Sequence, residues 1–159
     1  MFHQLYNNAV KDYDNRICRF ADKLLMDTNV AKDITQETYT RLWENRASVD
    51  FLKVKAWLFT TAYRLCMDHL KRSKRYAKEE HIPETWLEQN QPDLQKIVSD
   101  SLALLPELQR SIVLLKDYEG YSYEEIGQML DLNESQVKVY LFRARKRVKD
   151  YIGDLKLVF

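Results

Sequence analysis

Apolar residues recur at steps of three and four along most of this 159-residue chain, which is the spacing of an amphipathic helix. Over residues 2–25 the pattern predicts one helix, or two helices in line. Residues 27–29 (Asp-Thr-Asn) offer N-cap side chains and predict a second helix that ends near residue 45. A polar stretch, residues 46–50, separates it from a third helix expected over residues 53–74.

The second and third predicted helices each have an apolar face that would pack inward. These faces comprise Ala31, Ile34, Tyr39 and Leu42 in the second helix, and Ala56, Phe59, Ala62, Cys66 and Leu70 in the third. Charged and amide side chains of the second helix fall on its outer face, namely Asp33, Gln36, Glu37, Arg41 and Glu44. We therefore expect residues 1–76 to form a compact helical module.

The next segment, residues 77–100, begins with little periodicity and is rich in acids, so it is expected to be a linker, with at most a helical turn near Trp86. Helical spacing resumes at about residue 94. Pro106 suits the first turn of a further helix that runs to Tyr118, and Gly120 is placed to end it. Residues 101–159 are expected to form a second module.

Two capping boxes give the clearest local signal in the chain. Ser122 and Glu125 form the first, and Asn133 and Gln136 form the second. The inward positions of the two helices that they open are Ile126, Met129 and Leu130, and then Val137, Leu141, Ala144 and Val148. Two capped helices joined by a short turn at Leu132 are typical of a helix-turn-helix, so this module is predicted to bind DNA.

Composition supports an all-α fold, because the chain has only three Gly and three Pro. Two cysteines are too few for a disulfide framework. Cys66 and His69 lie one helical turn apart, but two further zinc ligands lack candidates, and no cofactor is expected. No apolar run is long enough to cross a bilayer and no secretory signal is evident, so the cytoplasm is the expected location.

The net charge of +1 is the sum of two basic patches and an acidic stretch between them. Five of the eight residues 71–78 are basic, whereas residues 79–100 hold six acids and one Lys. Residues 138–149 hold six basic residues and no acid. This distribution predicts polyanion binding at two separate places.

The second helix of the helix-turn-helix would present its polar and basic side chains to DNA. Gln136 and Lys138 could contact base edges in a major groove, while Val139 or Phe142 could contact thymine methyl groups. The remaining candidates are Ser135, Arg143, Arg145, Lys146 and Arg147, of which the basic residues would mostly meet phosphates. A solvated basic helix that only packs on its neighbour is the structural alternative.

The first module combines aromatic and basic residues in a way that suits single-stranded DNA. Aromatic faces can stack unpaired bases while cations follow the backbone. The candidates are Lys53, Trp57, Tyr63 and Arg64, followed by the basic run Lys71, Arg72, Lys74 and Arg75. Trp57 could equally be a core residue, because its spacing from the predicted inner face is helical.

These motifs, taken in order, resemble the extracytoplasmic-function (ECF) group of bacterial sigma factors. Residues 33–43 (DITQETYTRLW) resemble the family's region 2 helix, and residues 56–59 (AWLF) with the later basic run resemble its −10 segment. Residues 105–110 and 118–126 resemble region 4, and residues 137–138 with 141–145 resemble its −35 recognition helix. Arg64 departs from the pattern, since many relatives have Asn there.

The resemblance implies a specific set of roles and partners. Asp33, Gln36, Glu37, Arg41 and Trp43 would contact the coiled coil of the polymerase β′ subunit, and region 4 would contact the β flap. The two DNA-binding sets named above would recognise the −35 and −10 promoter elements, and the acidic linker would lie in the RNA exit path. An anti-sigma factor is an expected partner, whereas membrane insertion and accessory C-terminal domains are not expected.

Two other functions compete with this interpretation. A helix-turn-helix regulator would bind duplex operators without polymerase, and co-purification with core polymerase would distinguish it. An enzyme is the weakest alternative, because the sequence shows no Gly-rich phosphate loop, no carboxylate cluster for a metal and no nucleophile–base pair.

Overall fold

The computed structural model describes residues 1–76 and 94–158, with side chains for 1–74 and 94–154. Every regular element in these ranges is helical: α1 (Phe2–Leu25), α2 (Thr28–Glu44), a 3-10 turn (Phe51–Lys53), α3 (Val54–Tyr76), α4 (Leu94–Ala103), α5 (Glu107–Val113) with a π-helical extension (Leu114–Tyr118), α6 (Tyr123–Leu130) and α7 (Glu134–Val158). The predicted all-α class is confirmed. The part of the predicted linker at residues 77–93, with its expected turn at Trp86, lies outside the described residues.

The corner between α1 and α2 follows from two adjacent residues. Met26 adopts a left-handed conformation (φ 57°) that ends α1, and its backbone N–H donates to the Asp22 carbonyl. Asp27 then caps α2, its carboxylate accepting from the backbone N–H groups of Asn29 and Val30 at 3.1 and 3.2 Å. The predicted N-cap is confirmed, and α1 is one continuous helix.

Helices α1, α2 and α3 pack around one apolar core, and this N-terminal module (residues 1–76) is the first of two. Ile17, Leu24, Leu42 and Phe59 are fully buried in it, and each such side chain contributes about 1.5–3 kcal/mol of transfer free energy. The predicted inner face of α3 needs correction. Leu58 and Val54 are buried although the pattern omitted them, whereas Ala56 and Leu70 are only half-buried, because the helix face is rotated toward α1.

In the C-terminal module (residues 94–158), α7 packs against α4, α5 and α6. Pro106 is the N-cap of α5 rather than its first helical residue. Gly120 follows the extension with a φ of +76°, a conformation that glycine adopts without strain, so its predicted role as helix terminator is confirmed. Helix α4 begins at Leu94 and continues past residue 100, where the sequence alone placed a boundary.

The helix-turn-helix is formed by α6, the turn at 131–133 and α7. Ser122 and Glu125 exchange both bonds of their capping box, at 3.0 and 3.1 Å. The second box is also complete, with Asn133 and Gln136 exchanging bonds of 3.0 and 2.8 Å. The predicted inner positions of both helices are buried except Val148, which is half-buried and packs against the edge of the core.

Candidate nucleic-acid interface

Helix α7 has one buried face and one fully exposed face at its N-terminal half. Val137, Leu141 and Ala144 are at most 2% exposed and fix the helix against α5 and α6. The opposite face holds the exposed residues Ser135, Gln136, Lys138, Val139, Phe142, Arg143, Lys146 and Arg147. We call this the recognition face.

Two apolar side chains lie on the recognition face without cover from this chain. Phe142 is 71% exposed and Val139 is 46% exposed. Exposed apolar side chains like these become buried only when a partner covers them. Thymine methyl groups in a DNA major groove would be a chemically suitable surface for such a contact. The basic side chain of Arg143 is exposed beside them.

Three predicted DNA contacts of this helix are partly engaged within the protein. The side-chain oxygen of Gln136 accepts from the Asn133 backbone, which leaves only its amide N–H donors for a base. Arg145 is paired with Asp117, its Nη2 atom donating at 2.5 Å to one carboxylate oxygen. The Lys138 ammonium lies 5.4 Å from the centre of the Tyr123 ring. Their DNA roles remain predictions.

Three of the predicted −10 residues border a groove between the two modules, which we call the α3 groove. It has a volume of about 970 Å³. From the N-terminal module it is lined by Lys53, Trp57 and Arg64, and from the C-terminal module by Tyr121, Glu125, Gln128 and Met129, among others. Trp57 is half-buried, so its ring is shared between the core and the groove.

The other members of the predicted −10 set are placed differently. Tyr63 is half-buried, and burial raises the pKa of its phenol. Lys71 and Arg72 are exposed on the last turns of α3. Lys74 is paired at 2.8 Å with Glu107 of α5, so its charge is already partly neutralised. The side chain of Arg75 lies outside the described part of the chain.

An ionic contact holds the two modules together beside the groove. Arg16 of α1 donates to the Glu119 carboxylate through Nε at 3.0 Å and through Nη2 at 2.5 Å. The side chain of Glu119 is only 9% exposed, so water screens this pair little. Lys55 of α3 donates to the backbone carbonyl of the same residue at 3.2 Å.

An aromatic contact extends the same interface. The rings of Phe59 and Tyr121 meet edge to face with centroids 5.7 Å apart, and the Lys55 ammonium lies 4.5 Å from the Tyr121 ring centre. Burial, followed by repulsion from Arg16, lowers the pKa of Lys55. Among the described residues, the buried Tyr121 hydroxyl has no hydrogen-bond partner. The modules therefore contact each other through a surface that includes desolvated polar groups.

A second link between the modules is made by Arg110 of α5. Its guanidinium donates to the carbonyl of Leu24 in α1 and to carbonyls at the end of α4 and the following turn, including Leu102 and Leu105. Burial lowers the pKa of this guanidinium. The arginine thus ties the C-terminus of α1 to the α4–α5 corner.

The predicted polymerase contacts lie along α2. Asp33, Gln36, Glu37 and Arg41 are exposed, and Arg41 pairs with Glu37 one turn earlier at 3.1 Å. Trp43 is half-buried beneath the rings of its neighbours. Its ring lies 5.3 Å from that of Tyr6 and 5.2 Å from that of His3, and the Arg46 guanidinium stacks on it at 4.2 Å.

The described residues hold no group of three or more His, Cys, Asp or Glu side chains that could bind a metal ion. Cys66 is fully buried, and desolvation raises its thiol pKa to about 12, so it is a core residue. The His69 ring is within hydrogen-bond distance of Ser73 instead. In the same parts of the chain, no helix is both long and apolar enough to cross a membrane.

Comparison with known families assigns both modules. The family model for Sigma-70 region 2 matches residues 9–76, and the model for Sigma-70, region 4 matches residues 95–148. The chain belongs to the sigma-70 family, whose members are the promoter-specificity subunits of bacterial RNA polymerase. Within that family it is an RNA polymerase sigma factor of the ECF group, and the alternative of a polymerase-independent regulator is not favoured.

Named relatives of the chain belong to the same group. It is 28% identical over 144 residues to the ECF RNA polymerase sigma factor SigM of Bacillus subtilis, with 86% of this chain and 88% of SigM covered. It is 29% identical over 159 residues to the ECF RNA polymerase sigma factor SigE of Mycolicibacterium smegmatis, with 93% of this chain but 62% of that relative covered.

Two solved structures share the fold. One is the sigma factor RpoE in complex with the anti-sigma factor NepR from Bartonella quintana, with a TM-score of 0.78, 21% identity and coverage of 93% of this chain and 96% of that one. The other is CnrH in complex with the cytosolic domain of CnrY, with a TM-score of 0.71, 18% identity and coverage of 94% and 88%.

The residues that join the modules give no local signal in the sequence. Glu119 and Tyr121 fall within the segment that resembles region 4, and Arg16 belongs to no motif. Arg16 and Glu119 are 103 positions apart, so no local spacing links them.

Proposed function

We propose that this sigma factor places polymerase on promoters through two DNA contacts made by different modules. The recognition face of α7 enters the major groove of the −35 element. Val139 and Phe142 would contact thymine methyl groups there, and Arg143 would donate to a guanine or a phosphate. The single observation that supports this proposal is the exposure of these side chains on a helix whose opposite face is fully buried.

The α3 groove is the proposed site for unpaired bases of the −10 element. Trp57 supplies an aromatic surface for stacking, and Lys53 and Arg64 supply cations beside it. Lys71 and Arg72, exposed near the end of α3, would follow the phosphate backbone. Extruding bases costs a few kcal/mol, and stacking in the groove would offset that cost.

The exposed face of α2 is the proposed contact with core polymerase. Asp33, Gln36, Glu37 and Arg41 are available there, and Trp43 is held beside them by ring packing. One structural neighbour is a sigma factor in complex with an anti-sigma factor, and the other is CnrH in complex with the cytosolic domain of CnrY. We infer the same type of partner for this chain, a cytoplasmic site of action, and a role in binding rather than in catalysis.

The contact between the modules supports a requirement for core polymerase. With Arg16 paired to Glu119, helix α6 stands across the α3 groove and reduces the room for a DNA strand. Each module alone offers a small DNA-binding surface, and polymerase would supply the correct spacing between them. Isolated protein is therefore expected to bind promoter DNA weakly, and core polymerase is expected to strengthen binding greatly.

The decisive experiment is transcription in vitro with purified bacterial core polymerase and a library of randomised promoters. The expected result is a set of transcripts whose templates share two short elements at a fixed separation. A matched reaction without the protein gives the background. Failure to associate with core polymerase, or tight sequence-specific binding of duplex DNA by the free protein, would contradict the proposal.

A further inference from the structure

The C-terminal module contains an apolar cleft that is separate from the α3 groove, and we call it the C-terminal cleft. It lies between α4, α5 with its π-helical extension, and α7, and its volume is about 620 Å³. This volume is within the range of pockets that bind small molecules. Most of the lining is apolar and comprises Val98, Leu102, Val113, Tyr118, Val148 and Ile152.

The packing of the module is incomplete along this cleft. Leu102 and Val113 are at most 7% exposed and belong to the core. Val98, Val148 and Ile152 also line the cleft, but each of them is only half-buried. Protein interiors are packed as densely as organic crystals. The open cleft therefore leaves apolar surface in water that a bound apolar group would cover.

The π-helical extension forms one wall of the C-terminal cleft. It spans Leu114–Tyr118, and both Asp117 and Tyr118 line the cleft. π-helical turns are rare in proteins and occur frequently at functional sites. The backbone of this wall is thus a second indication of a binding site, independent of the volume and the apolar lining.

One cation of the cleft has no charged partner among the described residues. Arg145 lines the cleft but is already paired with Asp117. Lys149 follows Arg145 by one turn of α7, lines the cleft and is exposed, and no described acid forms an ion pair with it. An apolar cleft with an unpaired ammonium group at its exposed edge is complementary to a ligand that has an apolar tail and a negatively charged head.

We propose that the C-terminal cleft binds a single-chain amphipathic carboxylate, a medium-chain fatty acid. Its tail would lie along Val98, Val148 and Ile152, and its carboxylate would pair with Lys149 at the surface. A ligand that is polar throughout would find few hydrogen-bond partners along these walls, and an uncharged chain would leave Lys149 unpaired. The ligand would contact α7, the helix that also carries the recognition face. Its binding is independent of the proposed promoter function, because the free chain contains the whole cleft.

The test is isothermal titration calorimetry of the full chain with hexanoate, octanoate and decanoate, each below its micelle concentration. Each methylene group that leaves water raises affinity about fourfold. Affinity should therefore rise about tenfold with each step of two carbons. 1-Decanol has the same chain as decanoate without the charge, and it should bind to the same cleft more weakly.

Two variants and one control locate the ligand. Lys149→Gln should weaken decanoate about threefold, the scale of an exposed ion pair, and should leave 1-decanol unchanged. Lys11→Gln removes the same charge from α1 and should change neither affinity. Ile152→Trp places a larger ring in the cleft and should weaken both ligands about tenfold. Thermal unfolding checks that each variant is folded, and Lys149→Gln changes an exposed residue that makes no core contact.

Four outcomes would overturn the proposal. The first is no saturable binding of any of the three acids, and the second is an affinity that does not depend on chain length. Undiminished decanoate binding by folded Ile152→Trp would place the acid elsewhere on the chain. Equal effects of Lys149→Gln and Lys11→Gln on decanoate would show that Lys149 does not bind the carboxylate.

Discussion

The two proposed DNA-binding surfaces of this sigma factor differ in how far the rest of the chain covers them. On the recognition face of α7, Phe142 is 71% exposed and Arg143 extends into solvent. On α3, by contrast, Lys55 donates to the Glu119 carbonyl and Lys74 pairs with Glu107, both in the other module. The recognition face is open in the free chain. The basic surface of α3 is partly covered by the C-terminal module, which is also the module that bears the recognition face.

The chemistry of the occupied surface indicates why it can be released. The Arg16–Glu119 pair and the Phe59–Tyr121 ring contact stabilise it. Opposing these contacts, the buried Tyr121 hydroxyl has no hydrogen-bond partner in the described structure, which costs about 1–3 kcal/mol. This cost offsets part of the stabilisation, and a partner that binds the separated modules more tightly would displace the contact.

The largest expected effect concerns the placement of the open surface. A Cβ atom added at Gly127 in α6 would lie 2.5 Å from the backbone oxygen of Leu132, so Gly127→Ala must shift the turn before α7. Overpacking against backbone costs about 1–3 kcal/mol or more. We expect a lower melting temperature and loss of −35 binding, measured by thermal unfolding and by duplex-DNA binding of the holoenzyme.

Gly153→Ala is the matched control for this change. A Cβ atom there meets nothing within 4 Å, and Gly153 lies within helix α7. Alanine should therefore stabilise the helix by up to about 1 kcal/mol. If the two variants unfolded at the same temperature, the tight turn would not be what positions the recognition face.

The next effect concerns the chemistry of the open surface. Arg143→Ala should weaken binding of −35 duplex by the holoenzyme about tenfold, because one good base contact contributes about 1–3 kcal/mol. Affinity for core polymerase should be unchanged, and it can be measured separately. Arg147→Ala removes the same charge one turn later and should weaken all duplexes slightly. A loss of core binding with Arg143→Ala would show a structural role instead.

The sequence predicted the open surface better than the covered one, for a physical reason. Capping boxes and helical faces depend on residues within four positions of each other, so Ser122 with Glu125 and the buried stripe from Val137 to Ala144 could be recognised directly. The sequence pattern assigns Gln136 both to a capping box and to a base contact, and the capping box engages its side-chain oxygen.

Contacts between the modules depend on tertiary geometry that no local pattern encodes. The partner of Arg16 is 103 residues away, and Lys74 meets an acid 33 residues later. Leu58 is a core residue that the predicted inner face of α3 did not include. Its burial depends on how α3 is rotated against the neighbouring helices, which is also a matter of tertiary packing. Charge patterning predicted that α3 is basic, but not that part of this charge is already paired.

A smaller expected effect tests whether the contact between the modules limits the access of DNA to the α3 groove. Glu119→Gln should weaken the pair with Arg16 by about 1 kcal/mol, while the backbone carbonyl that Lys55 contacts remains. If the closed arrangement dominates, free protein should bind a single-stranded −10 oligonucleotide about fivefold more tightly, because a larger fraction is competent to bind. Fluorescence anisotropy with a labelled oligonucleotide gives the affinity.

Glu124→Gln supplies the control for net charge, since Glu124 is an exposed acid in the first turn of α6. It should leave the affinity nearly unchanged. An equal increase with both variants would mean that removing any acid favours DNA, and the contact between the modules would then have no special part in covering the groove.

The smallest expected effect concerns the exposed basic side chains on the last turns of α3. Lys71→Gln should reduce the affinity for single-stranded DNA only a few-fold, but it should also lower the dependence on salt. Each phosphate contact contributes a slope of about 0.7 in log affinity against log salt for single strands. Lys11→Gln, an equal change on the exposed side of α1, should leave the slope unaltered. If the slopes of the two variants coincide, the end of α3 makes no phosphate contact, and the −10 strand must leave the groove by another path.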